Sequence, residues 1–249
     1  MQATTITEVI DTLKNIIEDS KKNNSTMGYF ASLYYIVTVR IKEGIDKKEF
    51  QDNERMERLD VIFANRYLEA YHQYQAKEQP SACWKYAFDQ NKKYWPIVLQ
   101  HLLLGINAHI NLDLAVAAEQ TSPGNKINEL KSDFDKINQI LSGLVTNLES
   151  DLGAMWPTLK IILLFTKKVD NFLIDFSMKL ARDGAWKFAT ELAAMGPEEK
   201  INAIKKRDIK IADIAMLITK PGIIAGMIFK IIRLGERGTV QSKINLLCT

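Results

Sequence analysis

Apolar residues recur along this chain at steps of three and four, the spacing of one side of a helix. Ile6, Val9, Ile10, Leu13, Ile16 and Ile17 predict a helix over about 5–20. A loop from Lys21 to Thr26 precedes a second helix of about 27–42, bulky with Tyr29, Phe30, Tyr34 and Tyr35 and ending near Gly44. A third is expected over about 52–75, with a core stripe of Leu59, Ile62, Phe63, Arg66 and Ala70. After Pro80, Ser81 can cap a short helix running to about Asn91. Pro96 suits the first turn of a central helix of about 96–119, which Thr121-Ser-Pro-Gly124 stops.

From Ile127 the apolar positions are Ile127, Leu130, Phe134, Ile137, Leu141, Leu144 and Leu148. Alternating steps of three and four make a heptad seam, so this helix is expected nearly parallel to a neighbour. An intramolecular bundle is the preferred reading, and a homodimeric coiled coil is the alternative. Trp156-Pro157 is a break before a helix of about 158–181. Ala185 to Ala194 continues helically after Gly184. Gly196-Pro197 starts another helix, Pro221-Gly222 ends it, and the last runs to about Gly235.

The picture is all-α: one domain over residues 1–249, with eight to ten helices around a buried central one. Composition agrees. Only 12 Gly and 6 Pro are too few turn formers for an all-β chain. Cys83 and Cys248 cannot staple 249 residues, which suggests a reducing compartment and a cytoplasmic protein. The N-terminal residues lack the basic and apolar regions of a secretory signal. Apolar runs such as 161–165 and 223–229 fall short of the roughly 20 residues of a membrane span.

Charge is uneven. Residues 200–243 hold ten Lys or Arg against three acids, a net of +7 within a total of +3. Such a segment can be a solvated surface or can meet an anionic partner, a weak membrane-surface contact included. Nucleic acid is not expected, because Phe229 is the only aromatic there to stack on bases.

Candidate chemistry concentrates in the central helix. It is apolar on almost every side, yet it carries His101, Asn107, His109, Asn111 and Asp113, which are costly to bury alone. On a wheel of about 100° per residue, His101, Gly105, His109 and Asp113 share one side, with Asn107 and Asn111 on another. His109 and Asp113 are one turn apart. They can be an oriented acid–base pair, two ligands of one metal, or a structural pair. No metal is expected, since no His/Cys cluster completes a site. No cofactor loop is recognisable. Gly105 leaves either a close helix contact or room for a ligand. Arg66, inside an apolar stripe, requires a carboxylate or an anionic ligand, with Asp113 and Asp60 as candidates.

These residues fall in longer motifs: Phe63-Ala-Asn-Arg-Tyr-Leu68, Trp84-Lys-Tyr-Ala-Phe88, the stretch from Gln100 to Leu114, and Asp133-Phe-Asp-Lys-Ile-Asn138. Ala181-Arg-Asp-Gly-Ala-Trp186 and Ile232-Arg-Leu-Gly-Glu236 extend the series. In this order they resemble a family of bacterial proteins classed as a domain of unknown function. The resemblance implies no activity. It implies that Asn65, Arg66, His101, Asn107, His109, Asn111 and Asp113 belong to one constellation.

The functional expectation is an enzyme of hydrolase, lyase, isomerase or cyclase type acting on a small, largely apolar molecule. His109, Asp113, Arg66 and His101 would be catalytic. Asn65, Tyr67, Gly105, Asn107 and Asn111 would bind substrate. The alternatives are a non-catalytic protein binding a lipid or hydrophobic metabolite, and a helical interaction or membrane-surface protein. Oligomeric state stays open, a dimer included.

Overall fold

Helix starts in this chain are set by side chains that take up free amide hydrogens. A computed structural model describes residues 2–137, 140 and 178–248. Among them are ten α-helices and no strand. α1 spans Ile6–Lys22, and Thr5 caps it by accepting from Glu8 N. α2 is Met27–Asp46, running past Gly44. α3 is Asn53–Gln75, capped by Asp52, which accepts from Arg55 N at 2.9 Å. α4 is Ala82–Asp89. Its start departs from expectation, because Ser81 makes no capping bond. Asp208 caps it from a distant helix instead, accepting from Ala82 N at 2.6 Å and Cys83 N at 2.9 Å.

The central unit begins at Val98, two residues after Pro96. It comprises α5, Val98–Ala108, a π-turn at His109–Asp113, and α6, Leu114–Thr121. By length and composition this 24-residue unit could cross a membrane, but 89% of its apolar window is buried within the fold. It is the core helix that the sequence pattern predicts. α7 is Met178–Ala193 and passes through Gly184 without a break. α8 is Pro197–Thr219, α9 Ile223–Gly235 and α10 Val240–Leu247. α10 lies beyond the expected last helix. Thr239 caps it by accepting from Ser242 N.

The heptad seam starts differently. Gly124–Leu130 is a 3-10 turn, and residues 131–137 are helical. Ile127, Leu130 and Phe134 are buried against Ala185, Phe188, Ala189 and Leu192 of α7 in one cluster. Leu141 to Leu148, the Trp156-Pro157 break and the 158–177 part of the next helix lie outside the described residues.

Two main apolar clusters flank the central helix. One joins α1–α5 to α8, α9 and α10; the other gathers α6, α7 and residues 127–134. Buried Asp133 pins α3 to the second, accepting from Gln51 N, Asp52 N and Arg55 Nη2 at 2.7–3.2 Å.

Gly105 is where α2 and α5 touch. A Cβ there would stand 2.3 Å from Phe30 Cδ2. The Gly105 position therefore seats the Phe30 ring. Gly105→Ala is expected to cost about 1–3 kcal/mol by overpacking. Phe30→Leu in the same chain should recover part of that loss. Urea denaturation checks both, and an unchanged midpoint for Gly105→Ala would mean that the ring is not seated there.

Candidate functional site

At the centre of the fold one carboxylate receives three donors. Asp113 Oδ1 accepts from Arg66 Nε at 2.8 Å. Asp113 Oδ2 accepts from Trp84 Nε1 at 2.8 Å and lies 3.2 Å from His109 Nδ1. Three elements supply these groups. α3 carries Arg66, α4 carries Trp84, and the π-turn carries both His109 and Asp113. Arg66 is half-buried, because the buried face of α3 runs through Leu59, Ala64, Tyr67 and Leu68 instead of the expected stripe with Ile62 and Phe63. The Asp208 cap fixes the start of α4 and so places the indole. Asp113 is 1% exposed and His109 2%. Arg66 is the most open of the four, with 26% of its side chain exposed.

The π-turn makes its own i–5 bond, from Leu114 N to His109 O. Single π-turns inside α-helices are frequent at functional sites. Here the turn includes both members of the ionisable pair.

Electrostatics fix the protonation states. Burial raises the Asp113 carboxyl, but Arg66, His109 and Trp84 outweigh burial and hold it below the usual carboxylate range. Burial pushes His109 down, against the pull of Asp113, so the ring is neutral. An ionised carboxylate can only accept, so Nδ1 carries the proton and Nε2 its lone pair. Nε2 is buried and has no hydrogen-bond partner among the described residues.

Aromatic rings enclose this imidazole. Phe63 stacks on it, with centroids 3.6 Å apart and planes at 9°. Tyr34 meets it edge-on at 4.4 Å. Phe30, Tyr67 and Trp84 stand at 5.7–6.2 Å. The Tyr34 and Tyr67 hydroxyls and Asp60 Oδ2 are also buried without a partner among the described residues. Burial raises the Tyr34 phenol well above its ordinary range, and the charges of Asp60 and Asp113 raise it further. Native folds leave few buried polar atoms unpaired, so four in one neighbourhood mark this region.

The other expected site residues lie elsewhere. Asn65 ties down the N-terminus, its amide bonding Ala3 N and Ala3 O at 2.9 and 2.8 Å. Asn107 donates to Ile211 O of α8 at 3.0 Å and accepts from Asn111 at 3.0 Å. These amides join α5 to α8. His101 faces a separate polar pocket of about 200 Å³ with Tyr29, Lys93, Arg233, Glu236 and Lys243. Burial and the two cations Arg233 and Lys243 push it down to about 3, so it is neutral. Instead of ligand space, Gly105 borders a crevice of about 20 Å³ shared with Phe30, Trp84 and His101. That is room for about one water. Among the described residues no three His, Cys, Asp or Glu side chains cluster as a metal would require.

Trp84 and Tyr34 are the members that spacing did not single out. An indole N–H has no periodic signature, and Tyr34 reads as one more core aromatic of α2.

Asp60 gives the site a pH signature. Burial, helped by Glu57, pushes its carboxyl up to about 7 from an ordinary 3.8. The folded state then binds a proton that the unfolded state has released, so stability falls as pH rises from about 4 to 7 and levels off above. Asp60→Asn should match wild type near pH 4 and exceed it above pH 7, by up to about 4 kcal/mol. Melting temperatures across that range check it. A constant difference between the two proteins would mean that Asp60 ionises normally.

No curated protein and no solved structure matches the chain. A match to a protein family does cover residues 6–221. The span holds Arg66, Trp84, His109 and Asp113 together with nearly all of the scaffold that places them. By that match, the chain belongs to the family described as Family of unknown function (DUF5995).

Proposed function

We propose that this chain is an acid–base enzyme acting on a small, largely apolar molecule, with His109 Nε2 as the proton-transfer atom. One observation carries this reading: the imidazole is fixed through Nδ1 by an ionised carboxylate, and its basic nitrogen is buried with no partner among the described residues. That arrangement orients a general base. Arg66 is placed to hold a carbonyl or anionic oxygen from the half-open side. Tyr67 and Tyr34 have hydroxyl donors to spare. The Asp60 and Asp113 carboxyls are pushed in opposite directions, as acid and base partners in a site are. The aromatic lining suits an apolar substrate and excludes water. Nε2 is buried, so a substrate reaches it only when part of the enclosure moves aside.

A second reading has its own support. The near-complete burial of His109 and Asp113 and the seat of Phe30 on Gly105 suit a structural network that locks α3, α4 and α5 together. Non-catalytic binding of the same class of molecule needs the same opening.

Two measurements separate these readings. Nitrogen NMR of labelled histidine should show His109 neutral at pH 7, with Nδ1 protonated. A thermal-shift panel of small apolar carbonyl and carboxylate compounds should stabilise wild type, and the stabilisation should vanish in a folded His109→Gln protein. Turnover of a stabilising compound that is lost in His109→Gln identifies the enzyme, whereas stabilisation without turnover identifies a binding protein. If no compound shifts the wild type and His109→Gln, Arg66→Gln and Asp113→Asn each lose several kcal/mol, as broken buried pairs do, the cluster is scaffold.

A further inference from the structure

The outer face of α9 is as apolar as its inner one. Phe229 and Ile232 point into the core and are buried. Ile223, Ile224, Met227, Ile231 and Leu234 stand on the opposite side, within about 100° of one another on a wheel of about 100° per residue. All are exposed, Ile223 at 83% and Leu234 at 70%. Met216 and Leu217, near the end of α8, are exposed as well. Scattered exposed apolar side chains are ordinary, but a contiguous stripe of large ones marks a contact surface.

What surrounds the stripe indicates the partner. Tyr94 and Trp95 are exposed beside it, in the loop before the central helix. Lys230 Nζ lies 5.5 Å from the Trp95 ring and Arg233 Cζ 4.7 Å from the Tyr94 ring. A groove of about 400 Å³ joins this loop to α9, lined among others by Lys93, Trp95, Lys220 and Lys230. The groove's cations Lys93, Lys220 and Lys230 are exposed, and exposed Arg237 follows α9 in sequence. The nearby acid Glu236 is spent on Arg233 and Lys243 inside the fold. Amphipathic Trp and Tyr at headgroup depth, large aliphatics below them and lysines around the rim form the signature of a helix lying in a bilayer interface.

Geometry opposes spanning. α8 and α9 together are apolar enough to cross a membrane, but they meet at a bend of 66°. Ile211, Ala215, Ile218, Phe229 and Ile232 are buried in the protein core. Inserting these helices would expose that core. Lying on the surface requires no rearrangement, since the apolar stripe already faces outward.

We propose that α9 and the Lys93–Pro96 loop dock this protein on the surface of an anionic lipid bilayer. The aliphatic stripe enters the acyl boundary, Trp95 and Tyr94 sit among the headgroups, and the lysines meet lipid phosphates. Docking rests on residues remote from Asp113 and stands or falls independently of acid–base chemistry there.

The test is co-sedimentation of the full chain with vesicles of mixed phosphatidylserine and phosphatidylcholine, against pure phosphatidylcholine. Binding should favour the anionic vesicles and weaken with salt. Each basic residue at such a surface is worth about a fivefold change in partition, so Lys220→Glu with Lys230→Glu should reduce binding by well over tenfold. Met227→Glu with Ile231→Glu should abolish binding and leave the circular dichroism and melting temperature unchanged, since both side chains are exposed. Tryptophan emission should shift to the blue on binding, and Trp95→Phe should remove the shift. Wild type indifferent to anionic vesicles at low salt overturns the proposal. So does a dimer in sedimentation velocity that Met227→Glu with Ile231→Glu dissociates, because the stripe would then be covered by a second copy.

Discussion

A carboxylate taken out of water is tolerable only if something replaces its hydration, and Asp113 obtains that replacement from three separate elements. The requirement reaches far along the chain. Arg66 must reach across from α3 with its Nε, so α3 must pack beside the central helix. Trp84 must aim its N–H inward, so α4 must start at the right place, and Asp208 on α8 sets that start through two backbone amides. The Arg66–Asp113 pair is not a net source of stability simply by being buried, since desolvation offsets much of its attraction. Its effect is specific. Removing one partner strands the other, so α3, α4 and the central helix are bound to one mutual arrangement.

The aromatic enclosure makes that arrangement consequential. Coulombic effects grow where water is excluded, so a neutral imidazole, an ionised carboxylate and a carboxyl raised to about 7 can coexist in one neighbourhood. Burial supplies the upward push on Asp60, and three donors reverse it at Asp113. Two residues of one chemical type are thereby pushed in opposite directions, so that between about pH 4 and 7 Asp60 holds its proton while Asp113 is ionised.

The fold was legible where periodicity carries it. α1, α3 and the central helix came out close to their observed limits, because each has a continuous apolar stripe and a recognisable start or stop. Arg66 was legible as a group needing a carboxylate or an anionic ligand, since a lone cation is costly beside Leu59, Ile62 and Phe63. The choice of Asp113 over Asp60 was not, because it depends on how helices distant in sequence are set side by side. Asn65, His101, Asn107 and Asn111 share with His109 only the property of being polar in apolar surroundings. Spacing cannot say which neighbour satisfies each one, and here Ala3 meets Asn65, the Thr26 hydroxyl meets His101, Ile211 meets Asn107, and Asn107 in turn meets Asn111. Trp84 was hidden by its own ambiguity, as an indole serves a core by ring and by N–H alike. α10 lies past the expected last helix although its residues carry a helical pattern: Val240, Ile244 and Leu247 step by four and three behind the Thr239 cap.

The π-turn divides the central helix into two phases. One residue inserted into an α-helical turn rotates everything beyond it by about 100° relative to a regular continuation. Positions before His109 and after Asp113 therefore belong to different wheels, and a single wheel drawn through both misplaces one end. α5 turns Gly105 towards α2 and Asn107 towards α8. Beyond the turn, α6 offers Ala115, Ala117 and Ala118, all fully buried, to α3 and α7. One continuous segment thus serves two apolar clusters with two different faces. The extra residue acts as a joint between halves of the core, and the ionisable pair sits on the joint.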